Sequence, residues 1–456
     1  MPLTKCIKLT IKKCEELEWK PLTKILCDIR YLTCQASNKA IRMLTLNTYE
    51  SIEHRNLYGQ PLDTKPLCGK SFDAYVEDQM KKIMNICNTG NVAQTRQFVT
   101  NRFKNDKSKG LLKNEVNGSN FKKDMPIIIH NKMFKLLQTN DGYSIECGLF
   151  NREKQKETTI SRLTLVIDKL DGNGKSTLNR IISGQYKQGS GQIIQDKKGK
   201  WYFVISFSFE PNIKYLDSDR ILGVDLGITN AATMQIWDNN KQKWDKLSWG
   251  ECMLNGKELI HFRQRIETRK RDFLKLRKVS GITNEFSVGK KGHGTQSRIK
   301  PIEHLNDKIS NFRNTMNHKY SKYIVDFAIK KNCSAIQIEN LEGYSEKAKE
   351  SFLKSWPYYD LQSKIIYKAK EYGIEVIKVK PNYTSKRCSK CGCIHEENRD
   401  CKSNQAKFKC VICGYEENAD INAAKNIALP NIESIIEEQL NIISKQYKED
   451  IKYTIS

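Results

Sequence analysis

The chain has no long hydrophobic run and, for its length, few acidic residues. No segment approaches the roughly 18–20 uncharged apolar residues that a membrane-spanning helix needs, which excludes a bilayer-spanning segment. The first ten residues lack an apolar run followed by a small-residue cleavage site, so we expect no signal peptide and a cytoplasmic location. The 52 acidic residues are outnumbered by 78 lysines and arginines, which leaves a formal net charge of +26.

This excess of positive charge indicates a polyanionic partner. Like charges repel one another in a compact chain, and a fold does not need such an excess. Nucleic acid is the first candidate, because lysine and arginine contacts to phosphates supply most sequence-independent binding. The alternatives are a basic surface without a partner and a protein that lies on a membrane surface. A chain of 456 residues is long enough for two to four domains.

The 15 cysteines, in a chain without an export signal, indicate reduced thiols and metal binding rather than disulfides. Four of them form two Cys-x-x-Cys pairs separated by 18 residues, and a glycine follows each pair directly. The pairs are Cys388 with Cys391 and Cys410 with Cys413. This spacing predicts one structural Zn²⁺ held by two knuckles. A redox pair is the alternative, Cys393 and Cys401 are spare thiols, and His395 is a less favoured ligand.

Three acidic residues lie in or beside short apolar stretches of the second half. Asp225 lies in the strand-like segment 221–228, Glu339 follows Ile338, and Asp420 lies in the segment 418–424. A carboxylate in an apolar strand is costly to bury unless it is paired or bound to a cation. One such residue could be a structural acid, but three favour a shared site at the ends of strands.

Three converging carboxylates suit two divalent ions about 3.5–4 Å apart, which act together on a phosphodiester. Mg²⁺ or Mn²⁺ fits such oxygen ligands. The sequence therefore predicts a metal-dependent nuclease with two Mg²⁺ (or Mn²⁺) ions per active site, in which Asp225, Glu339 and Asp420 are both catalytic residues and metal ligands.

The pattern of hydrophobic residues predicts a multidomain protein with α+β and α/β parts. Residues 3–13 alternate like a strand, and helical periodicity follows over 17–52 and 70–107, with a break at 88–91. Short strand-like runs from about 125 to 209 indicate a small antiparallel barrel with the helices inserted after its first strand, a fold that commonly binds oligonucleotides. Beyond a linker, alternating strands and helices predict an α/β domain with a basic helix over 256–279.

Four stretches around the acidic residues and cysteines carry a family resemblance. They are Gly223-Val-Asp-Leu-Gly227, Gln337-Ile-Glu-Asn-Leu341, Thr384-Ser-Lys-Arg-Cys-Ser-Lys-Cys-Gly392 and Cys410-Val-Ile-Cys-Gly-Tyr-Glu-Glu-Asn-Ala-Asp-Ile-Asn-Ala-Ala-Lys-Asn426. Together they resemble the split RuvC nuclease with an inserted zinc ribbon that is shared by transposon-encoded TnpB and type V CRISPR effectors. The upstream half and the segment 298–320 resemble the miniature type V-F CRISPR effectors.

This resemblance implies an OB-like wedge β-barrel with an inserted helical recognition arm, followed by an RNase H-like RuvC domain with an inserted zinc ribbon that binds target nucleic acid. The implied boundaries are 1–16 for the first wedge strand, 17–122 for the recognition arm, 123–209 for the wedge barrel, 210–219 for the linker, 220–380 for the first part of RuvC, 381–416 for the zinc ribbon, and 417–456 for the end of RuvC with a C-terminal helix.

The function implied by the resemblance is that of an RNA-guided DNA endonuclease of a prokaryotic antiviral CRISPR system. Its partners would be a guide RNA (a crRNA with a tracrRNA, or a single guide) and double-stranded target DNA beside a short T-rich motif that the protein reads. An asymmetric homodimer on one guide RNA is also implied, and loop 289–294 corresponds to an active-site lid. The expected nucleic-acid contacts are Arg265, Arg269, Lys290, Lys291, Arg298 and Arg387.

Three alternatives stay open at this point. A TnpB-type nuclease with a transposon-derived guide would have the same active site. A nuclease-dead RNA-guided binder is disfavoured because all three acidic residues are present. A zinc-ribbon protein that binds nucleic acid without catalysis would leave those acidic residues unexplained.

Overall fold

The computed structural model describes residues 2–60, 62–64, 69–140, 142–196, 198–279, 295–341, 358–399 and 406–442, with the backbone alone at 276–279 and 295–303. The chain divides into two compact units, Met1–Glu210 and Pro211–Ser456. Among the described residues, no helix combines the length and apolar character that crossing a membrane requires.

The N-terminal unit is built on an antiparallel sheet whose strands run in the order β2-β6-β7-β1-β5-β4-β3. The strands are β1 (Leu3–Cys14), β2 (Ile127–Ile129), β3 (Phe134–Thr139), β4 (Gly142–Cys147), β5 (Leu163–Ile167), β6 (Lys187–Gln195) and β7 (Trp201–Phe209). Alternation places Trp201, Phe203 and Ile205 of β7 in the core, as expected for a half-buried strand. Strand β1 is central, since it pairs with both β5 and β7.

Three helices of this unit follow β1 in the sequence and precede β2, and two more lie between later strands. They are α1 (Trp19–Tyr58), α2 (Phe72–Ile83), α3 (Thr89–Ser108), α4 (Arg152–Thr158) and α5 (Gly172–Ile182), with 3-10 turns at Leu111–Lys113 and Asn131–Met133. Leu22, Leu26 and Ile29 form the buried stripe of α1. The helical conformation is interrupted between α2 and α3, where the Asn88 side chain accepts a hydrogen bond from Gly90 N and caps α3.

The C-terminal unit has a mixed sheet in the order β10-β9-β8-β12-β13, with β11 paired to β9. Its strands are β8 (Asp217–Asp225), β9 (Asn230–Asp238), β10 (Lys243–Trp244), β11 (Met253–Asn255), β12 (Cys333–Glu339) and β13 (Glu375–Val379). Strands β8, β12 and β13 are parallel, whereas β9 runs antiparallel to β8. The carboxyl ends of β8 and β12 therefore meet at one edge of the sheet.

Helices cover both faces of this sheet. They are α6 (Trp249–Cys252), α7 (Lys257–Val279), α8 (Thr295–Lys330), α9 (Tyr358–Lys370), α10 (Ala419–Ala428) and α11 (432–442). Leu222 and Val224 of β8 share a core with residues of α8 and α9 such as Ile324 and Ile365. Gly223, between them, faces α10 instead, because successive residues of a strand point to opposite faces.

A small cysteine module (residues 381–416) separates β13 from α10. It contains a 3-10 turn at Glu396–Asn398, the strand β14 (Lys407–Lys409), and the start of β15 (Glu416–Asn418), which pairs antiparallel with β14. Phe408 and Ala419 pack against two of the cysteines in a core of their own. A core of this size is typical of small modules that a bound metal stabilises.

Candidate active site

Strand pairing brings Asp225 and Glu339 to the same edge of the sheet. Asp225 is the last residue of β8 and Glu339 the last of β12, and Val224 and Ile338 are direct partners in the parallel ladder. Both carboxylates follow apolar residues that are fully buried, so the core fixes the two strand ends. The two acidic side chains are half-buried there.

Asp420 is carried by a helix, whereas the sequence pattern predicted that it lies at the end of a strand. It lies in the first turn of α10, directly after the short strand β15. The Asn418 side chain accepts hydrogen bonds from the backbone N–H groups of Asp420 and Ile421 and thereby caps the helix. A carboxylate is favoured at this position because the helix N-terminus carries partial positive charge.

Gly223 allows α10 to cross β8 at very short range. A Cβ atom at this position would lie 2.4 Å from both Ala424 O and Ala428 N, which no side chain could tolerate without movement of the helix. The facing residues of α10 are small, and Ala423, Ala424 and Ala428 are buried. This close packing places the first turn of α10, and with it Asp420, beside the strand ends.

Two of the three carboxylates are oriented by neutral side chains. Thr384 Oγ1 donates to Glu339 Oε1 at 2.5 Å, and Asn230 Nδ2 donates to Asp420 Oδ2 at 2.9 Å. Thr384 lies in the cysteine module, whereas Asn230 begins β9. These hydrogen bonds leave the remaining carboxylate oxygens available to other partners.

Arg399 places a cation beside this group. Its Nη2 lies 3.9 Å from Asp420 Oδ1, and its side chain is about one-fifth exposed, at 20%. The residue comes from the cysteine module, just after the 3-10 turn. The module therefore contributes a positive charge to a cluster of acidic side chains.

The electrostatics of the three carboxylates favour a bound cation. Burial, followed by the neighbouring charges of Glu339 and Asp420, holds the pKa of Asp225 well above its usual range, while Arg399 opposes the shift. Burial also raises the pKa of Glu339, and the hydrogen bond from Thr384 and the charge of Arg399 lower it. Divalent ions would offset this repulsion, and three carboxylates are the hard oxygen ligands that Mg²⁺ and Mn²⁺ take.

The four predicted cysteines converge as a compact cluster. Their sulfur atoms all lie within 4.8 Å of one another, with Cys388 and Cys413 3.7 Å apart and Cys391 and Cys410 3.6 Å apart. A tetrahedral zinc with Zn–S bonds of about 2.3 Å requires sulfur separations of about 3.8 Å. The cluster therefore fits a zinc site.

The two halves of the cluster share one backbone pattern. Gly392 N donates to Cys388 O at 2.9 Å, and Gly414 N donates to Cys410 O at 3.0 Å. Both glycines have positive φ, at 82° and 66°, a conformation that glycine adopts without strain. These are the first knuckle (residues 388–392) and the second knuckle (residues 410–414).

The other candidate ligands lie outside the cluster. In the described part of the chain, the four cysteines alone form such a compact group. Cys393 is not among them, and the His395 ring accepts a hydrogen bond from Glu397 N. Cys401 lies outside the described residues.

Arg265 and Arg269 are exposed on α7. That helix packs against α8 through Phe262, whose ring stacks on Phe312 at 4.0 Å between centroids, so the two arginines are left on the outer surface. Lys290 and Lys291, in the predicted lid 289–294, lie outside the described residues, as does the side chain of Arg298. The role of all five in nucleic-acid binding stays a prediction.

Arg387 is buried, with 8% of its surface exposed. Its Nη1 donates to Asn426 Oδ1 at 2.7 Å and its Nε donates to Gln439 Oε1 at 3.1 Å. Arg387 therefore connects the start of the first knuckle to helices α10 and α11 by hydrogen bonds. Contact with a nucleic acid by this side chain also stays a prediction.

The chain resembles known proteins in sequence. The family model described as "Cas12f1-like, TNB domain" matches residues 358–427, which run from α9 through the cysteine module into α10. The CRISPR-associated endodeoxyribonuclease Cas12f1 of Sulfoacidibacillus thermotolerans is 38% identical over 441 residues, covering 96% of this chain and all of the relative. The chain belongs to the Cas12f1 family.

A second Cas12f1 relative matches the sequence, and a solved structure matches the fold. The Cas12f1 of Syntrophomonas palmitatica is 39% identical over 352 residues, covering 69% of this chain and 67% of that protein. A cryo-EM structure of a Cas12f1–sgRNA–target DNA complex matches the fold with a TM-score of 0.70 at 21% identity, over 94% of this chain and 99% of that one. The Escherichia coli protein named as the putative RNA-guided DNA endonuclease InsQ is 29% identical over 55% of this chain and 58% of its own.

Proposed function

We propose that the chain is an RNA-guided DNA endonuclease that hydrolyses target DNA at the site formed by Asp225, Glu339 and Asp420. Three observations support the proposal: Asp225 and Glu339 end adjacent parallel strands, the helix that carries Asp420 crosses β8 at short range, and the chain matches Cas12f1 along nearly its whole length. The relatives named as endodeoxyribonucleases support the same chemistry.

In this proposal the three carboxylates hold two Mg²⁺ (or Mn²⁺) ions, and the cysteines hold one structural Zn²⁺. Bound divalent ions would activate the attacking water and stabilise the departing 3′ oxygen of the phosphodiester. The chain itself supplies the geometry: Thr384 fixes one oxygen of Glu339, and Asn230 fixes one oxygen of Asp420.

Arg399 is proposed to contact the scissile phosphate. Its guanidinium lies beside Asp420 and is part of the cysteine module, so it can bind a phosphate oxygen while the carboxylates bind the metal ions. Arginine suits this role because its planar fork matches phosphate geometry and stays charged. Sequence patterns gave no signal for this residue, which lies between the two cysteine pairs outside any periodic stretch.

The rest of the chain is proposed to hold the nucleic acids. We assign the seven-stranded sheet of residues 1–16 and 123–209 to a wedge barrel, residues 17–122 to the recognition arm, 220–380 with 417–456 to a RuvC domain, and 381–416 to a zinc ribbon that contacts the target. The net charge of +26 suits a guide RNA together with double-stranded target DNA. The solved Cas12f1 complex, which contains an sgRNA and target DNA, supports these partners.

An asymmetric homodimer on one guide RNA is the proposed assembly. The C-terminal half of α1 exposes a row of large apolar side chains that the described part of its own unit leaves uncovered. They are Leu46, Tyr49, Ile52, Leu57 and Tyr58. Exposed apolar surface of this kind favours a protein partner, and a second copy of the chain would cover it.

A TnpB-type nuclease guided by a transposon-derived RNA is the second candidate. The match to InsQ supports it, although that match spans about half of each chain. The neighbouring DNA separates the two: a CRISPR array beside the gene supports the first proposal, and a transposon end supports the second.

The direct test is to purify the chain with the RNA that it binds, sequence that RNA, and build a DNA target that matches its guide segment. With Mg²⁺, we expect cleavage of the matched target beside a T-rich motif and none of a scrambled target. Binding of the matched target without cleavage would instead indicate a nuclease-dead RNA-guided protein.

A further inference from the structure

Two asparagines one helical turn apart on α10 attach the helix to the cysteine module. Asn422 and Asn426 are both completely buried. Their Nδ2 atoms donate to the same acceptor, Arg387 O, at 2.9 and 2.7 Å, and Asn426 Nδ2 also donates to Thr384 O at 2.9 Å. In return, Asn422 Oδ1 accepts from Ser389 N at 2.9 Å, and Asn426 Oδ1 accepts from Arg387 Nη1 at 2.7 Å.

These hydrogen bonds fix one alignment of the module on the helix. A buried amide costs free energy unless its donors and acceptors find partners. Here the partners all come from the six-residue stretch 384–389, which leads into the first knuckle. A shift of this stretch by one residue would leave several buried polar groups unpaired, so the hydrogen bonds favour a single register of the stretch on α10.

The stretch 384–389 also contacts Glu339 at the end of β12. Thr384, at its start, donates to Glu339 Oε1 at 2.5 Å, while Cys388, near its end, belongs to the sulfur cluster. Helix α10 carries Asp420 in its first turn. The stretch that contains Cys388 is therefore connected by hydrogen bonds both to Glu339 and to the helix that carries Asp420.

We propose that Thr384, Asn422 and Asn426 are positioning residues that couple the zinc cluster to the carboxylate site, so that loss of zinc weakens divalent-ion binding by Asp225, Glu339 and Asp420. This inference rests on the proposed function, because it takes the three carboxylates as the metal site. It adds that the cysteine module increases the affinity of this site for divalent ions, besides binding the target.

The physical reason is the dependence of metal binding on ligand orientation. Groups that hydrogen-bond to metal ligands typically change metal affinity by about 10–100-fold when removed. Without zinc, the two knuckles lose their cross-link, and the stretch 384–389 is no longer anchored at its Cys388 end. Glu339 then loses the fixed hydroxyl of Thr384, and α10 loses its attachment through the two asparagines.

The test measures Mn²⁺ binding by electron paramagnetic resonance titration of the full-length chain freed of RNA. Asp225→Asn, measured in parallel, gives the Mn²⁺ bound elsewhere. Thr384→Val removes the hydroxyl at nearly constant volume, and Thr384→Ser keeps it. We expect Mn²⁺ affinity to fall about 10–100-fold in Thr384→Val and to return to near the wild-type value in Thr384→Ser, with one zinc per chain in both.

A second arm removes the zinc itself. Cys413→Ser replaces an exposed cysteine ligand, and we expect it to lose zinc and to show the same weakening of Mn²⁺ binding. Wild-type Mn²⁺ affinity in Thr384→Val, or in zinc-free Cys413→Ser, would overturn the coupling. Should Cys413→Ser fail to fold, the wild-type chain from which a chelator has removed the zinc, titrated after the chelator is washed out, takes its place. If the wild-type chain binds no more Mn²⁺ than Asp225→Asn, the proposed metal site fails, which is a separate outcome.

Discussion

Thr384 donates a 2.5 Å hydrogen bond to Oε1 of Glu339, although 45 residues separate the two in the chain. Glu339 ends a strand of the central sheet, whereas Thr384 belongs to the cysteine module. The module thus reaches into the carboxylate group at two points, with a hydroxyl on Glu339 and with the guanidinium of Arg399 beside Asp420. A segment inserted between β13 and α10 is therefore part of the site.

Asp225→Asn should abolish cleavage while sparing guide-RNA and target binding. The same change should raise the Tm in EDTA, because the raised pKa of Asp225 reports a folded state that disfavours its charge. Such a carboxyl favours folding while protonated, and this contribution is lost as the pH rises through the folded-state pKa. For a domain of 150–250 residues, the Tm should rise by about 2–4 °C for each 1 kcal/mol by which the substitution increases the free energy of unfolding.

Differential scanning calorimetry with and without Mg²⁺ checks this prediction. Mg²⁺ should stabilise the wild-type chain and leave Asp225→Asn nearly unchanged. A variant less stable than wild type in EDTA would show that Asp225 is a satisfied structural acid instead.

Arg399→Ala should lower the single-turnover cleavage rate by about 100-fold or more, which is the usual cost of removing one group that stabilises the transition state. Arg399→Lys keeps the charge and loses the planar fork, so it should recover only part of the rate. Target binding, measured by gel shift, should change little in both. Cleavage at the wild-type rate in Arg399→Ala would exclude a role for this residue in the reaction.

Gly223→Ala should displace α10 and reduce both stability and cleavage. Its Cβ would meet two backbone atoms of α10 at 2.4 Å, and overpacking of this kind costs about 1–3 kcal/mol. Gly250→Ala is the matched control, since a Cβ there meets nothing within 4 Å. Urea denaturation should separate the two variants, and equal stability would contradict the close crossing of β8 by α10.

Cys391→Ser should lose the bound zinc, whereas Cys393→Ser should keep it. The first sulfur lies 3.6 Å from Cys410 within the cluster, and the second lies outside it. Zinc content per chain, measured by inductively coupled plasma mass spectrometry, checks the assignment. Zinc loss in Cys393→Ser with retention in Cys391→Ser would reassign the ligands.

Arg265→Ala and Arg269→Ala should each weaken nucleic-acid binding in a salt-dependent way. Each lost phosphate contact should reduce the slope of log K against log salt by about 1. Arg263→Ala is the control, because Arg263 lies on the same helix and donates to Glu267 at 2.7 Å. Filter-binding titrations at several salt concentrations measure the slopes. Slopes equal to the wild-type value in Arg265→Ala and Arg269→Ala would exclude phosphate contacts by these two residues of α7.

Local sequence signals predicted the parts of the fold that depend on local chemistry. Strand alternation located β1 and β7, and the Cys-x-x-Cys-Gly spacing located the sulfur cluster, because each knuckle is a local turn. The apolar runs before Asp225 and Glu339 predicted the strands that carry them, although β8 ends at Asp225 and does not continue to residue 228. The parallel pairing of β8 with β12 brings the two carboxylates together. It joins segments more than 100 residues apart in the sequence, so local patterns could not predict it.

The orienting partners of the site had no such signal. Asn230, Thr384 and Arg399 come from three different segments and meet the carboxylates only in the folded chain. Asp420 was expected at a strand end and lies in a helix, because Asn418 caps α10 immediately before it. Capping chemistry at Asn418 was the available signal for that helix start.

The decisive measurement is cleavage of a matched DNA target by the purified chain, loaded with its own guide RNA and Mg²⁺. We expect cutting by the wild-type chain, none by Asp225→Asn, Glu339→Gln or Asp420→Asn, and unchanged target binding by all four proteins. Cutting that survives in any of these three variants would contradict the assignment of the active site.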